Sequence, residues 1–244
     1  MLEIPQIGLG TWKLTGKDGQ EVIEKALEMG YRHIDTADLY RNHREVGQAI
    51  KNSGIPREEI FLVTKIFPPL TAGRIQKAGP RFLEELQTDY VDLLLVHWPD
   101  LVPTANALEN FQKLKEEGVT RHIGVSNFGL NRMKQSVSTG LEIYNNQLEI
   151  YPGNVDEELI SYCKEEGISV TAYSPLAEGR ILNDPRLRKL AEEKNATVAK
   201  VILKYLLLKG LIIIPKASSG QHLRENLEAS KVELTLGEFE ALGY

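Results

Sequence analysis

The chain has 244 residues, 42% of them hydrophobic, and a formal net charge of −5 from 29 basic and 34 acidic side chains. This length suits one α/β domain, and a slightly acidic chain without long basic clusters argues against a nucleic-acid partner. Because no run resembles a membrane span or a secretion leader, and the single cysteine, Cys163, excludes an internal disulfide, we expect a cytoplasmic protein with no membrane partner.

Short apolar strands alternate with amphipathic helices along the whole sequence. The predicted strands are residues 7–10, 32–34, 61–64, 92–96, 122–125, 143–148, 168–173 and 211–214. The first helix is expected from Asp18, as its cap, to Met29. Later helices are expected at about 43–53, 75–86, 107–114, just after 128, at 159–163, 185–194 and 197–208, and from 219 onward.

Eight strand–helix units of this kind favour a particular α/β architecture. The strands are too uniformly apolar to have a wet face, as is typical of parallel strands covered by helices. The sequence therefore predicts a closed (β/α)8 TIM barrel, with residues 1–244 as a single domain, rather than an open doubly wound sheet.

Polar side chains follow three neighbouring strands of this predicted barrel. Asp35 and Tyr40 follow the second strand, Lys65 ends the third, and His97 ends the fourth. Since parallel strands end at the same rim, these four side chains should meet at the face where barrel enzymes carry their chemistry. The alternatives are a purely structural Lys65–Asp35 pair and a satisfied core histidine at position 97.

Other familiar motifs fail on spacing. Gly8-Leu9-Gly10 lacks the third glycine and the helix of a Rossmann site. The segment Gly124–Phe128 lacks the last glycine of a nucleophile elbow. The five histidines are scattered, so no metal site is predicted.

Eight short motifs, in order along the chain, point to a known family. They are Gly8–Trp12, Gly30–Ala37, Thr64-Lys65, His97–Pro99, Gly124–Phe128, Asn146-Gln147, Tyr173–Leu176 and Ile214–Lys216. Together they closely resemble the aldo-keto reductase family over about residues 4–227, particularly its prokaryotic 2,5-diketogluconate and methylglyoxal reductase branch. The resemblance implies an NADPH-dependent reductase of small aldehydes and ketones, such as dicarbonyls or keto-sugars.

By this resemblance Asp35, Tyr40, Lys65 and His97 form the catalytic tetrad. A carbonyl that receives hydride develops charge on its oxygen, so Tyr40 is expected to donate a proton there. The Lys65 cation should lower the pKa of the Tyr40 phenol, and Asp35 should hold Lys65 charged. His97 should orient the carbonyl oxygen and stabilise the developing alkoxide.

The resemblance also implies a cofactor site and a substrate pocket. Ser126, Asn127 and Gln147 should hold the nicotinamide carboxamide, Tyr173 should stack on its ring, and Ser174 and Leu176 should reach the pyrophosphate. The remaining expected cofactor residues are Gly10, Thr11, Lys216, Ser218, His222, Glu225 and Asn226. Trp12 and Trp98 should wall the substrate pocket, although rim packing is an equally good interpretation of Trp98.

The adenosine end departs from the pattern of strongly NADPH-selective members. Ala217 and His222 stand where such members commonly have serine and arginine, and Arg224 should point elsewhere on its helix. Lys216 keeps one cation for the 2′-phosphate. We therefore expect a modest preference for NADPH, with NADH still usable.

Two alternative functions and two departures remain open. Lys65 could instead form a Schiff base in an aldolase or lyase, or the barrel could sense a nicotinamide cofactor without catalysis. The stretch from Pro99 to Thr104 and the C-terminal segment are shorter than the lid and tail of larger relatives. We therefore expect shallow discrimination among small carbonyl substrates. We also expect the protein to be a monomer.

Overall fold

The computed structural model describes residues 3–99 and 104–244. Within them eight strands are β1 Leu9–Gly10, β2 His33–Asp35, β3 Phe61–Ile66, β4 Val91–Val96, β5 Thr120–Ser126, β6 Asn145–Glu149, β7 Ser169–Tyr173 and β8 Ile212–Ile213. The helices are α1 Gly16–Glu28, α2 His43–Ser53, α3 Ala72–Leu86, α4 Thr104–Glu116, α5 Leu130–Val137, α6 Glu157–Glu165, α7 Pro185–Glu193, α8 Val198–Leu208, α9 Gly220–Leu227 and α10 Leu236–Glu240.

The strands form a parallel (β/α)8 barrel, which confirms the predicted fold. Each strand pairs with the next in sequence from β1 to β8. A parallel bridge between Ile7 and Ile213 joins the two ends, and the Gly8 amide donates to the Ile213 carbonyl at 2.8 Å. A Cβ on Gly10 would lie only 2.7 Å from the carbonyl oxygen of Ile214, so a glycine is needed where β1 approaches the end of β8.

Side-chain alternation along the strands places the functional groups. Phe61 and Val63 on β3 and Leu93 and Leu95 on β4 form a buried cluster inside the barrel. Because strand side chains alternate with a period of two, the next inward positions are Lys65 and His97. The apolar rows therefore fill the barrel and deliver their polar last members to its C-terminal rim.

A single 3₁₀ turn over Asp38–Tyr40, directly after β2, positions Tyr40. Asn42 fixes the backbone around this turn, because its Nδ2 donates to the carbonyl oxygens of Thr11 and Leu14 at 2.9 and 2.8 Å. Its Oδ1 accepts from the Thr36 hydroxyl at 2.6 Å. Asn42 is fully buried, so the loops after β1 and β2 are joined by bonds shielded from water.

Two details of the predicted helices are wrong. Asp18 does not cap α1, which begins at Gly16; the carboxylate of Glu45 on α2 accepts the Gly16 amide at 2.8 Å instead. A tertiary contact thus replaces the local cap, and Asp18 lies in the first turn, where its charge suits the helix dipole. Helix α10 was not predicted, although Thr235 and Glu238 form the reciprocal capping box that marks such a start.

The strands agree with prediction to within a few residues at their ends. Strand β6 starts at Asn145 rather than at residue 143, and β1 and β8 each contain only two residues with full ladder pairing. Among residues 3–99 and 104–244, none of the helices has the length and apolar character needed to cross a membrane.

Candidate active site

A buried chain of polar contacts joins Asp35, Lys65 and Tyr40. Lys65 Nζ donates to Asp35 Oδ1 at 2.5 Å, to the carbonyl oxygen of Thr36 at 2.9 Å and to the Tyr40 hydroxyl at 3.4 Å. The side chains of both Lys65 and Asp35 are 1% exposed. A buried charge must be paired and hydrogen-bonded to be tolerated, and Lys65 meets this condition through three partners.

The protonation states follow from these contacts. Burial alone would lower the pKa of Lys65, but the charge of Asp35, the attraction of Tyr40 in its ionised form and the hydrogen bonds to both raise it above its ordinary value. Lys65 is therefore a cation at neutral pH. This is the wrong state for the nucleophilic amine of a Schiff-base enzyme, so the geometry does not support that alternative.

The expected lowering of the Tyr40 pKa is wrong in its net direction. Burial raises the pKa of the Tyr40 phenol, and Asp35 adds to the increase, while the charge of Lys65 and its hydrogen bond oppose it. The lysine acts with the predicted sign, but desolvation outweighs it. Tyr40 therefore keeps its proton at neutral pH, which is the state that a proton donor needs.

His97 lies beside Tyr40 as a neutral ring. The two ring centroids are 5.9 Å apart, and Phe67 packs edge-on against the other side of the imidazole at 5.6 Å. Burial, with a smaller contribution from Lys65, lowers the pKa of His97 to about 3. His97 Nδ1 is buried with no hydrogen-bond partner in the described part of the chain, so packing holds the ring.

Gln147 is part of this buried network, a link that the sequence did not suggest. Its Nε2 donates to Asp35 Oδ2 at 2.8 Å, so both oxygens of the carboxylate have partners. Because inward-facing Gln147 and Asp35 stand across the barrel on β6 and β2, no local sequence pattern relates them. The side-chain amide oxygen of Gln147, Oε1, accepts no hydrogen bond among the described residues, and Gln147 lines the cleft, so this oxygen remains available to an amide donor.

Ser126 and Asn127 lie beside Gln147 and make further hydrogen bonds. The Ser126 hydroxyl donates to the backbone oxygen of Gln147 at 2.9 Å. Asn127 adopts the left-handed region with a φ of 63°, donates to the His97 carbonyl at 3.0 Å and accepts from the Tyr173 hydroxyl at 2.9 Å. This strained residue thus connects the ends of β4, β5 and β7 around the same point.

These residues open onto one cleft of about 980 Å³ at the C-terminal rim. Its lining contains every predicted site residue except Thr11 and Lys65. Both lie beneath the floor: Thr11 is fully buried and donates its hydroxyl to the Asp35 carbonyl at 2.9 Å. The cleft also includes residues that were not predicted, among them Lys13, Glu149, Glu178, Leu182, Val198 and Pro215.

The cleft extends from the tetrad to the start of α9. Lys216, Ser218 and His222 line this end and are exposed, whereas Asn226 is buried. The Ser219 side chain caps α9 by accepting the His222 amide at 3.2 Å. Arg224 is absent from the lining among the described residues, in agreement with the expectation that it points elsewhere.

The donors present fit a nicotinamide dinucleotide. An amide acceptor at Gln147 lies at one end of the cleft, and the Lys216 cation with a helix N-terminus lies at the other, where anionic phosphate is favoured. Between them Ser174, Ala177 and Glu178 adopt positive φ angles of 47°, 48° and 54°, a strained loop that carries Leu176 into the cleft.

Trp12 and Trp98 lie at the mouth of the cleft, 46% and 44% exposed. The Trp12 ring packs edge-on against Tyr40 at a centroid distance of 4.9 Å, so it borders the reacting point. The short lid was predicted between Pro99 and Thr104; residues 100–103 lie outside the described part of the chain.

Comparisons with known proteins agree with this geometry. Residues 6–243 match the model of the aldo/keto reductase family. The chain is 39% identical to methylglyoxal reductase DkgB of Yersinia pestis, covering 95% of this chain and 89% of that protein. It is 37% identical to a glycerol 2-dehydrogenase (NADP(+)) of Saccharomyces cerevisiae, covering 98% and 86%. The aldose reductase of Schistosoma japonicum superposes with a TM-score of 0.94 at 32% identity, covering 99% and 88%.

Proposed function

The chain belongs to the aldo/keto reductase family, and from that premise we propose that it reduces small dicarbonyl aldehydes with Tyr40 as the proton donor. It is an NADPH-dependent oxidoreductase that converts aldehydes and ketones to alcohols. The observation that carries the assignment of Tyr40 is the placement of Lys65 Nζ, 2.5 Å from Asp35 and 3.4 Å from the phenol.

Each residue of the site has a separate role in the proposed carbonyl reduction. NADPH, when bound, supplies the hydride. Tyr40 holds the proton that the new alcohol requires, and Lys65 places a fixed positive charge beside the oxygen of the phenol. Neutral His97 can hydrogen-bond the carbonyl oxygen without competing as a stronger acid, because its pKa is lowered to about 3. Asp35 and Gln147 keep Lys65 in position.

The shape of the substrate end supports small, uncharged substrates. Trp12 and Trp98 supply apolar walls, while Tyr40 and His97 line the same cleft with ring centroids 5.9 Å apart. A pocket of this kind fixes one carbonyl and offers the rest of the substrate mainly apolar contact. The Yersinia relative is named for methylglyoxal, a small aldehyde with a neighbouring ketone, which suits such a pocket.

Further elements of the proposal concern the whole chain. We propose that residues 1–244 act as one domain, as a monomer, in the cytoplasm. In support of one domain, each strand of the barrel pairs with the next in sequence from β1 to β8. The only cysteine of the sequence, Cys163, is buried and unpaired, which suits a reducing compartment. Light scattering on the purified protein, with and without NADPH, tests the monomer directly.

The test of function follows NADPH absorbance with methylglyoxal, glyoxal, several keto-sugars and simple aldehydes as substrates. We expect methylglyoxal and glyoxal to give the highest kcat/KM, and Tyr40→Phe to abolish most turnover while still binding NADPH. A wild-type enzyme that binds NADPH but reduces only keto-sugars would overturn the substrate class. Unchanged turnover in Tyr40→Phe would overturn the proton donor.

A further inference from the structure

A second cleft, of about 1090 Å³, lies outside the barrel rim between the 3₁₀ turn and helices α2 and α3. Leu39 lines both this cleft and the catalytic one, so the Asp38–Tyr40 turn separates the two. Nothing in the reduction chemistry uses the outer cleft, although it borders the element that carries Tyr40.

The lining of the outer cleft is strongly basic. Five cations line it, namely Arg41, Arg44, Arg74, Lys77 and Arg81. Only three carboxylates accompany them: Asp38, Glu45 and Glu85. This local positive excess stands out in a chain with a net charge of −5, and a basic concavity concentrates anions near its surface.

The carboxylates of the cleft are already engaged. Asp38 accepts from Arg81 at 2.7 Å and from Arg74 at 3.5 Å. Glu85 pairs with the buried ring of His43 at 2.9 Å. Glu45 accepts the first amide of α1, so it is turned toward that helix.

Three of the five cations that line the outer cleft are not paired with these carboxylates. Within residues 3–99 and 104–244, the side chains of Arg41, Arg44 and Lys77 make no ion pair or hydrogen bond, and all three residues are exposed. Asp38 shows that an anion can already be held by two guanidinium groups here, and the remaining cations line the same cleft. The cleft thus has the charge and the donors to hold a ligand more highly charged than one carboxylate.

Helix α3 arranges its donors along one side. Arg74, Lys77 and Arg81 are spaced three and four residues apart, so they share one face of the helix. Thr71 and Gly73, at the N-terminus of α3, also line the cleft, and the Thr71 side chain makes no capping bond. The positive end of the helix dipole therefore adds to the side-chain charges.

We propose that this outer cleft binds a small oligophosphate anion, independently of the cofactor. Two or three linked phosphates match the several separate cations better than a single carboxylate does. Arginine forks and a lysine point charge are the groups that proteins ordinarily use for phosphate oxygens. The ligand shares Arg74 and Arg81 with Asp38, so removing the Asp38 charge should strengthen its binding.

The test is calorimetric titration of pyrophosphate into protein saturated with NADP⁺, so that the phosphate positions of the cofactor cleft are filled. We expect one site per chain. Arg44→Gln combined with Lys77→Gln should weaken binding about a hundredfold, or about tenfold for each lost cation, which corresponds to about 1.4 kcal/mol each. The matched control is Arg188→Gln with Lys189→Gln on α7, which should bind as the wild type does.

A variant that binds pyrophosphate more tightly than wild type tests the site in a way that misfolding cannot imitate. Asp38→Asn should bind pyrophosphate more tightly than wild type, by about tenfold, because two guanidinium groups are released. Glu193→Gln on α7 is the control for loss of one negative charge and should change nothing. Tripolyphosphate and ATP separate the two sources of ligand: equal affinity indicates that a free phosphate chain suffices, and tighter ATP binding indicates a nucleotide.

Three results would overturn the site. The first is the absence of pyrophosphate binding to the NADP⁺-saturated wild type. The second is equal weakening in the Arg44/Lys77 and Arg188/Lys189 pairs, which would indicate a general charge effect. The third is an Asp38→Asn variant that binds no better than Glu193→Gln.

Discussion

The two ends of the catalytic cleft are built in opposite ways. At the catalytic end Asp35 and Lys65 are almost completely buried and joined by a 2.5 Å hydrogen bond, and bonds of 2.9 and 2.8 Å tie Lys65 to Thr36 and Asp35 to Gln147. At the adenosine end, Lys216 and His222 are exposed, and among the described residues neither side chain takes part in an ion pair.

We expect the buried end of the cleft to carry the reaction chemistry and the exposed end to carry the selectivity between NADPH and NADH. A buried network with every member satisfied is rigid, and the loss of one member leaves the others unpaired in a medium that solvates charge poorly. An exposed lysine or histidine contributes through a screened interaction that its neighbours do not need. The catalytic end should therefore respond to substitution in large steps, and the adenosine end in small ones.

The largest effect is expected from Tyr40→Phe. General acid catalysis typically contributes about 10²–10⁴-fold, so kcat for methylglyoxal reduction should fall by that factor. The affinity for NADPH, measured by fluorescence titration, should stay within about twofold. Tyr144→Phe is the matched control and should keep full activity, because it removes a phenolic hydroxyl from a residue that packs against the inner cluster and does not line the cleft among the described residues.

A loss of less than about tenfold in Tyr40→Phe would exclude Tyr40 as the proton donor. If NADPH affinity collapsed together with kcat, the phenol would instead be structural, and the contrast between the two ends would lose its chemical meaning.

Lys65→Met should reduce activity nearly as much and should also destabilise the fold. Breaking a buried ion pair by removing one partner typically costs about 3–5 kcal/mol, because Asp35 would remain charged and unpaired. The double variant Asp35→Asn with Lys65→Met should recover most of that stability in urea unfolding, yet none of the activity. Recovery of activity at alkaline pH in Lys65→Met would show that the lysine has a different role.

The meeting of the predicted polar side chains at the barrel rim could be derived from the sequence for a physical reason. Period-two alternation along buried strands dictates that a polar residue at the end of an inward-facing row appears at the rim, as Lys65 and His97 do. Ordered motifs along the chain then indicated the family. The barrel, the strand order and the meeting of Asp35, Tyr40 and Lys65 all follow from these local rules.

Other features depend on contacts between distant segments and could not be derived from the sequence. The Gln147–Asp35 bond crosses the barrel, and the cap of α1 comes from Glu45 on another helix. The net pKa shift of Tyr40 depends on how much water the folded chain removes, which residue spacing does not report. Helix α10 is different, since its capping box was visible in the sequence.

Smaller effects are expected at the adenosine end. Lys216→Met should weaken NADPH binding by about tenfold, near 1.4 kcal/mol, and leave NADH binding almost unchanged, since only NADPH carries the 2′-phosphate. His222→Gln should weaken NADPH by only about threefold, because one exposed charge contributes little. Arg224→Gln is the control, as Arg224 does not line the cleft among the described residues.

Equal losses for NADPH and NADH in Lys216→Met would show that the lysine does not distinguish the 2′-phosphate. Measuring NADPH and NADH affinities in wild type and in His222→Gln then isolates the contribution of the imidazole. Equal changes for the two cofactors would remove His222 from the phosphate site.

The smallest expected effect is an absence of change, and it distinguishes the two histidines of the cleft. Burial lowers the pKa of His97 to about 3, so its ring is neutral from about pH 5 upward. Burial also raises the pKa of Tyr40, so the phenol keeps its proton well into the alkaline range. With NADPH saturating, any effect of His222 on cofactor affinity drops out, and kcat should vary by less than about twofold between about pH 5 and pH 8.

An acidic limb with a midpoint near about 6.5 that disappears in His97→Asn would mean that His97 titrates in water-like surroundings. In that case the catalytic end would be as exposed as the adenosine end, and the contrast between them would fail.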